Sequence, residues 1–169
     1  GVATPAGTPG TEQVAFAALR RAVLLGDAGR AVAATALARL ADASKDVAAL
    51  ARAMELAVQL GVEPDNLAAV MPRLDDRTSW HARMVADAAA MRFGGLDPRH
   101  CRSGYTARAI ELAAVDVDEE TLRAVIGEPS AQQPLEYVVE PLLRGSAVTI
   151  ASTLAVLGEQ SHWSGSVQR

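Results

Sequence analysis

The chain has little of what most catalytic and metal-binding proteins carry. Only 4% of its 169 residues are aromatic and it has one cysteine, Cys101. A lone cysteine forms no internal disulfide, so the fold needs no oxidising compartment and a cytoplasmic location is expected. The three histidines, His81, His100 and His162, show no HxxxH, ExxH or CxxC spacing, so no helical face offers two metal ligands. Neither metal nor cofactor is expected. Gly94-Gly95 and Gly104 lack the lysine and the preceding strand of a phosphate loop, and Ser164-Gly165-Ser166 is no nucleophile elbow. The apolar stretches are interrupted by Arg, Asp or Glu before they reach the length of a membrane span. Val, Ile and Thr never gather into alternating runs, so no strand is expected. A net charge of −4 and a pI near 5.4 argue against a nucleic-acid binder that relies on bulk positive charge.

What is present is alanine. It dominates a composition that is 50% hydrophobic, forms helices better than any other residue and buries little area, so the core must come from close approach of helices. The clearest single element is 44–61, SKDVAALARAMELAVQLG. Ser44 is placed to cap it and Asp46 suits the positive end of its dipole. Val47, Leu50, Ala51, Met54, Ala57 and Val58 form an apolar stripe, Gly61 ends the helix and Val62 folds back on it.

Similar units flank it. Residues 1–10 form a Pro/Gly/Ala/Thr lead-in. Thr11 then caps a helix with Val14, Ala17, Ala18, Val23 and Leu24 inward and Gly26 as its stop. After a turn at Asp27 and Gly29, a second helix runs from about Arg30 to Asp42, with Val32, Ala36, Leu37 and Leu40 on one face. The fourth is expected to open at Pro64 and to be bent by Pro72. Thr78 caps a fifth, to about Phe93, carrying Trp80, Met84, Val85, Ala88 and Met91. Asp97-Pro98 opens a short turn, 105–115 a helix and 118–127 another. Acids gather at Asp116, Asp118, Glu119 and Glu120 because a helix N-terminus favours them. The proline-bearing loop 128–133 precedes a helix over 134–144. Gly145-Ser146 is a stop and a cap for a last apolar helix over 147–157, which must be buried or at an interface, and 159–169 is a polar tail.

Gly26, Gly61, Gly95, Gly127 and Gly158 fall 31 to 35 residues apart, a spacing typical of αα-hairpin solenoids. The expected fold is one all-α domain over 11–158, either a solenoid-like array of antiparallel hairpins or an irregular bundle. The densest polar and aromatic group is Trp80, His81, Arg83, Arg99, His100, Arg102 and Tyr105, which are the candidate binding residues. A Cys101 nucleophile is disfavoured because His100 is its neighbour in sequence and points elsewhere. With no catalytic motif, the expected function is non-enzymatic: a helical scaffold that binds another protein, with a homodimer through the last helix as a further partner. The alternative is a compact bundle with a small-molecule pocket, acting as a ligand sensor or an enzyme without a sequence motif.

Overall fold

A computed structural model describes residues 9–127 and 135–167. The expected loop 128–133 lies outside them. Among the described residues the fold is all-α, with no strand. The elements are α1 (Pro9–Val23), α2 (Asp27–Ala43), α3 (Val47–Leu60), α4 (Leu67–Val70), α5 (Trp80–Gly94), α6 (Thr106–Ala113), α7 (Glu119–Gly127), α8 (Leu135–Leu142) and α9 (Ala147–Val167), with 3-10 turns at Met71–Leu74 and Pro98–His100. No helix of the described residues is long and apolar enough to cross a membrane.

Packing follows chain order. α1 lies on α2, α2 on α3, α3 on α5, α5 on α6 and α6 on α8, while α9 covers α7 and α8. Alanine makes this close stacking possible. Ala33, Ala41, Ala51, Ala57, Ala82, Ala88, Ala89, Ala109 and Ala113 are wholly buried, and Leu37, Leu50, Met54, Leu56, Leu74, Ile110, Leu122 and Leu142 fill the space between helices. α2 closes on the end of α1 at Gly29. An added Cβ there would sit 1.8 Å from the carbonyl oxygen of Ala22, so α2 meets the end of α1 backbone to backbone.

The helix ends differ from the sequence expectation in instructive ways. Gly61 and Gly95 end α3 and α5 in the left-handed conformation, and the Val62 N–H folds back to the Ala57 carbonyl. Ser44, however, closes α2 rather than opening α3. Its hydroxyl donates to Leu40 O, and Asp46 takes the capping role by accepting from Ala49 N at 2.7 Å. Ser79 likewise caps α5 in place of Thr78, whose hydroxyl donates to Asp76. Pro64 stands in the loop before α4, and Pro72 converts the end of that segment to a 3-10 turn. α1 begins at Pro9, before Thr11. Gly26 is the residue before α2, which takes in Asp27 and Gly29 instead of starting at Arg30. Asp118 accepts from Thr121 N at the start of α7, a bond that holds its carboxyl below the usual range.

Two further departures concern glycine. Ala114 ends α6 at φ 52°, a left-handed position without a glycine, and Gly158 stops nothing, because α9 continues through it to Val167. The helix therefore runs on into the polar tail, through residues 159–167. Gly127 is the last residue of α7. The glycine spacing is thus no repeat of one structural role.

Long-range polar bonds tie the stack together. Arg30 donates to Gly61 O, Arg73 donates to the Ala41 and Ser44 carbonyls at the end of α2, and Arg92 donates to Ala113 O. These guanidinium groups satisfy carbonyls that helix ends leave open. Thr149, wholly buried on α9, accepts from Val117 N and donates to Val115 O, which fixes the turn between α6 and α7.

Candidate functional site

The candidate residues divide between two clefts on different flanks of α5. The first, of about 550 Å³, gathers side chains from three helices and a turn: Glu55 and Gln59 of α3, Trp80, His81 and Met84 of α5, Arg108, Glu111 and Leu112 of α6, and Arg144 after α8. Trp80 begins α5, directly after its Ser79 cap, and remains 42% exposed although it is among the largest apolar side chains in the protein. It is held by its neighbours. The Tyr105 ring lies 4.9 Å away at 41°, the His81 ring meets it edge-on at 5.8 Å, and the Arg108 guanidinium stands 5.6 Å over it. A cation over an indole face is attracted by the ring quadrupole, and the pair leaves an amphipathic platform facing solvent.

Charges of both signs ring the platform. His81 Nε2 is 2.9 Å from a Glu55 oxygen; a carboxylate accepts only, so this nitrogen carries the hydrogen. Arg144 pairs with Glu111 at 2.7 Å and with Glu140 at 2.7 Å, which together hold its guanidinium firmly protonated. These exposed pairs orient the side chains more than they stabilise the fold. Among the described residues Arg108 forms no such ion pair.

The second cleft, of about 590 Å³, contains Arg83, His100 and Arg102 beside Asp75, Asp87, Met71 and Leu96. Asp87 is 7% exposed and organises it. Its carboxylate accepts from Ser103 N at 2.9 Å and from Arg102 N at 3.2 Å, which pins the turn between the Pro98–His100 segment and α6. Arg83 Nε is buried and finds no hydrogen-bond acceptor among the described residues. Cys101 lies beside this turn, and burial, helped by the Asp87 charge, pushes its thiol up to about 12. The thiol form is thus strongly preferred, the reverse of the electropositive setting that creates a nucleophilic thiolate.

Arg99 belongs to neither cleft. Its guanidinium grips Asp97 at 2.7 Å and holds that carboxyl down at about 2. Trp80, His81 and Tyr105 therefore come together, Arg83, His100 and Arg102 form a separate group, and Arg99 caps its own turn. Sequence reasoning missed Glu55, Arg108, Glu111, Arg144 and Asp87. A signal existed for α6 alone, where Tyr105, Arg108, Glu111 and Leu112 recur at helical spacing. Among the described residues no group of three or more His, Cys, Asp or Glu side chains converges as a metal would need. Comparison with protein-family models, curated proteins and solved structures returns no match for this chain.

Proposed function

We propose that the protein is a non-enzymatic interaction module that docks a segment of another protein across the cleft of α3, α5, α6 and the turn after α8. The carrying observation is the Trp80–Arg108 platform. Tryptophan and arginine are enriched among the residues that carry the binding energy of protein interfaces, and here both line one cleft together with the paired charges of Glu55, His81, Glu111 and Arg144. An exposed tryptophan kept in place by Tyr105 and His81 is already ordered, so little side-chain entropy remains to be lost on binding. Arg108, lying over the ring and without an ion pair among the described residues, favours a carboxylate from the partner. The segment it selects carries an acidic residue next to a large apolar one, the apolar side chain covering Trp80. A cytoplasmic location and no dependence on nucleic acid are parts of this reading, supported by the single protonated cysteine and the net charge of −4.

A peptide-display selection tests it. Peptides enriched on the protein should share the acidic–apolar pattern, and Trp80→Ala together with Arg108→Ala should weaken them at least about tenfold, the effect of losing one interface anchor. Enrichment of peptides without the pattern, or equal binding by the double variant, would refute the proposal. A second reading is favoured by the buried Arg83 Nε: that His100, Arg102 and Arg83 take up a small phosphate- or carboxylate-bearing molecule in the other cleft. Calorimetric titration with inorganic phosphate, compared with Arg83→Gln, decides that reading. Heat that vanishes in the variant supports it, and no heat in either protein ends it.

A further inference from the structure

The sequence places Val14, Leu24 and Val32 inward, but the structure leaves them exposed on the α1–α2 hairpin. The cleft on the Arg83 side of α5 is a more selective surface. It joins apolar walls to a buried donor that finds no acceptor among the described residues. Its layout follows from α5. Arg83, Ala86 and Ala90 succeed one another at three- and four-residue steps along one face of that helix. The guanidinium therefore stands at one end of a strip that two methyl groups continue, over roughly 10 Å at the rise of a helix. Met71 of the 3-10 turn and Leu96 after α5, both half-buried, add larger apolar surface. His100 and Arg102 are exposed and stand at the rim.

This arrangement selects by shape and by charge. A guanidinium presents Nε and a terminal nitrogen along one edge, and that edge matches the two oxygens of a carboxylate. On Arg83 the Nε–H is covered and unused. A small swing of the planar group brings this edge to a ligand and makes a hydrogen bond that no described residue supplies. The two arginines in the cleft are matched by two aspartates, Asp75 and Asp87. Asp87 is committed to the Arg102 and Ser103 N–H groups. A doubly charged ligand would meet both aspartates as well as the arginines, so a single negative charge fits better. At about 590 Å³ the cleft is far larger than an inorganic anion fills and lies within the range of small-molecule sites. The remaining space borders methyl, thioether and isobutyl groups, which favour a hydrocarbon body.

Building on the anion-binding reading of this cleft, we infer that its ligand is an aliphatic monocarboxylic acid, held by Arg83 at the carboxylate and by the Ala86–Ala90 strip along its chain. An acid that reaches from Arg83 to Ala90 makes both contacts. Acetate and inorganic phosphate make only the first.

NMR titration of the isotope-labelled full chain tests it, read at the Arg83 Nε–H and at the Ala86 and Ala90 amides. The probes are acetate, butanoate, hexanoate, inorganic phosphate and hexylamine. Every anion should shift the Arg83 signal. Each buried methylene brings about a fourfold gain in affinity, so hexanoate should bind roughly fifteenfold more tightly than butanoate. Hexylamine, of equal length and opposite charge, should not bind. Arg83→Gln should weaken every anion at least about tenfold. Ala90→Leu, with an unchanged helical spectrum, should abolish the gain with chain length and leave acetate and phosphate as they were; if it misfolds, Leu96→Ser takes its place. Hexanoate no tighter than acetate, with both shifting Arg83, would overturn the aliphatic ligand and leave the anion site standing. No shift with any anion would end the anion site and the aliphatic ligand together. Binding of hexylamine as tight as that of hexanoate, or a chain-length gain that survives both wall variants, would sink the inference too.

Discussion

Replacing Gly29 by alanine reverses the usual sign of a helix substitution. Within a helix, alanine is favoured over glycine by up to about 1 kcal/mol. At Gly29 the new Cβ would lie 1.8 Å from Ala22 O and 2.9 Å from its carbonyl carbon, and both atoms are backbone. No rotamer relieves that clash. The end of α1 must retreat by more than an ångström, which loosens its packing on α2. Overpacking of this kind costs about 1–3 kcal/mol, and a rigid neighbour puts it at the upper end. With the helix gain subtracted, Gly29→Ala should destabilise by about 2 kcal/mol and lower Tm by about 4–8 °C. The control is Gly158→Ala, also inside a helix, where an added Cβ meets nothing within 4 Å; Tm should rise slightly. Thermal unfolding followed by circular dichroism reads both. A Gly29→Ala protein as stable as the wild type would show that α1 and α2 do not cross at that distance.

Other perturbations test other parts of the structure. Leu50→Asp places an unpaired charge where exposure is 1%, so it should cost several kcal/mol, about 3 or more, and an unchanged denaturation midpoint would refute the assignment of that face to the core. Ala114→Gly should stabilise by roughly 0.5–1 kcal/mol in urea denaturation, because φ 52° is strained for alanine and free for glycine. Asp46→Ala should cost about 1 kcal/mol through loss of the cap on α3, while Ser44→Ala should not mimic a lost N-cap. With its thiol pushed up to about 12, Cys101 should alkylate at pH 8 at least about a hundredfold more slowly than after unfolding, and equal rates would refute its protected setting.

The all-α class was legible because apolar residues recur at three- and four-residue steps with stops and caps between them. Residue types that do the same job could not be ranked. Ser44 and Asp46 both cap helices, and only the backbone decides that one closes α2 and the other opens α3. A helix end at Ala114 left no trace, since the expected glycine is absent, and Gly158 was misleading because a glycine is tolerated inside a long helix. An amphipathic stripe also does not say whether anything covers it, which is why Val14 and Val32 are open while Leu50 is closed. The site was half legible. Trp80 and Tyr105 stood out by scarcity, but Glu55 and Arg144 reach them through tertiary packing from positions 25 or more residues away.

The wholly buried alanines carry a consequence for how such a molecule tolerates change. A side chain of one methyl has almost nothing to give up, so trimming is nearly closed as a route of variation at these positions. Enlarging it is closed too, since each added carbon wedges two rods apart. Variation is therefore most constrained at these alanine positions and least constrained at the rim and in the clefts, so relatives of this chain should diverge fastest there while the helix-to-helix spacing stays fixed.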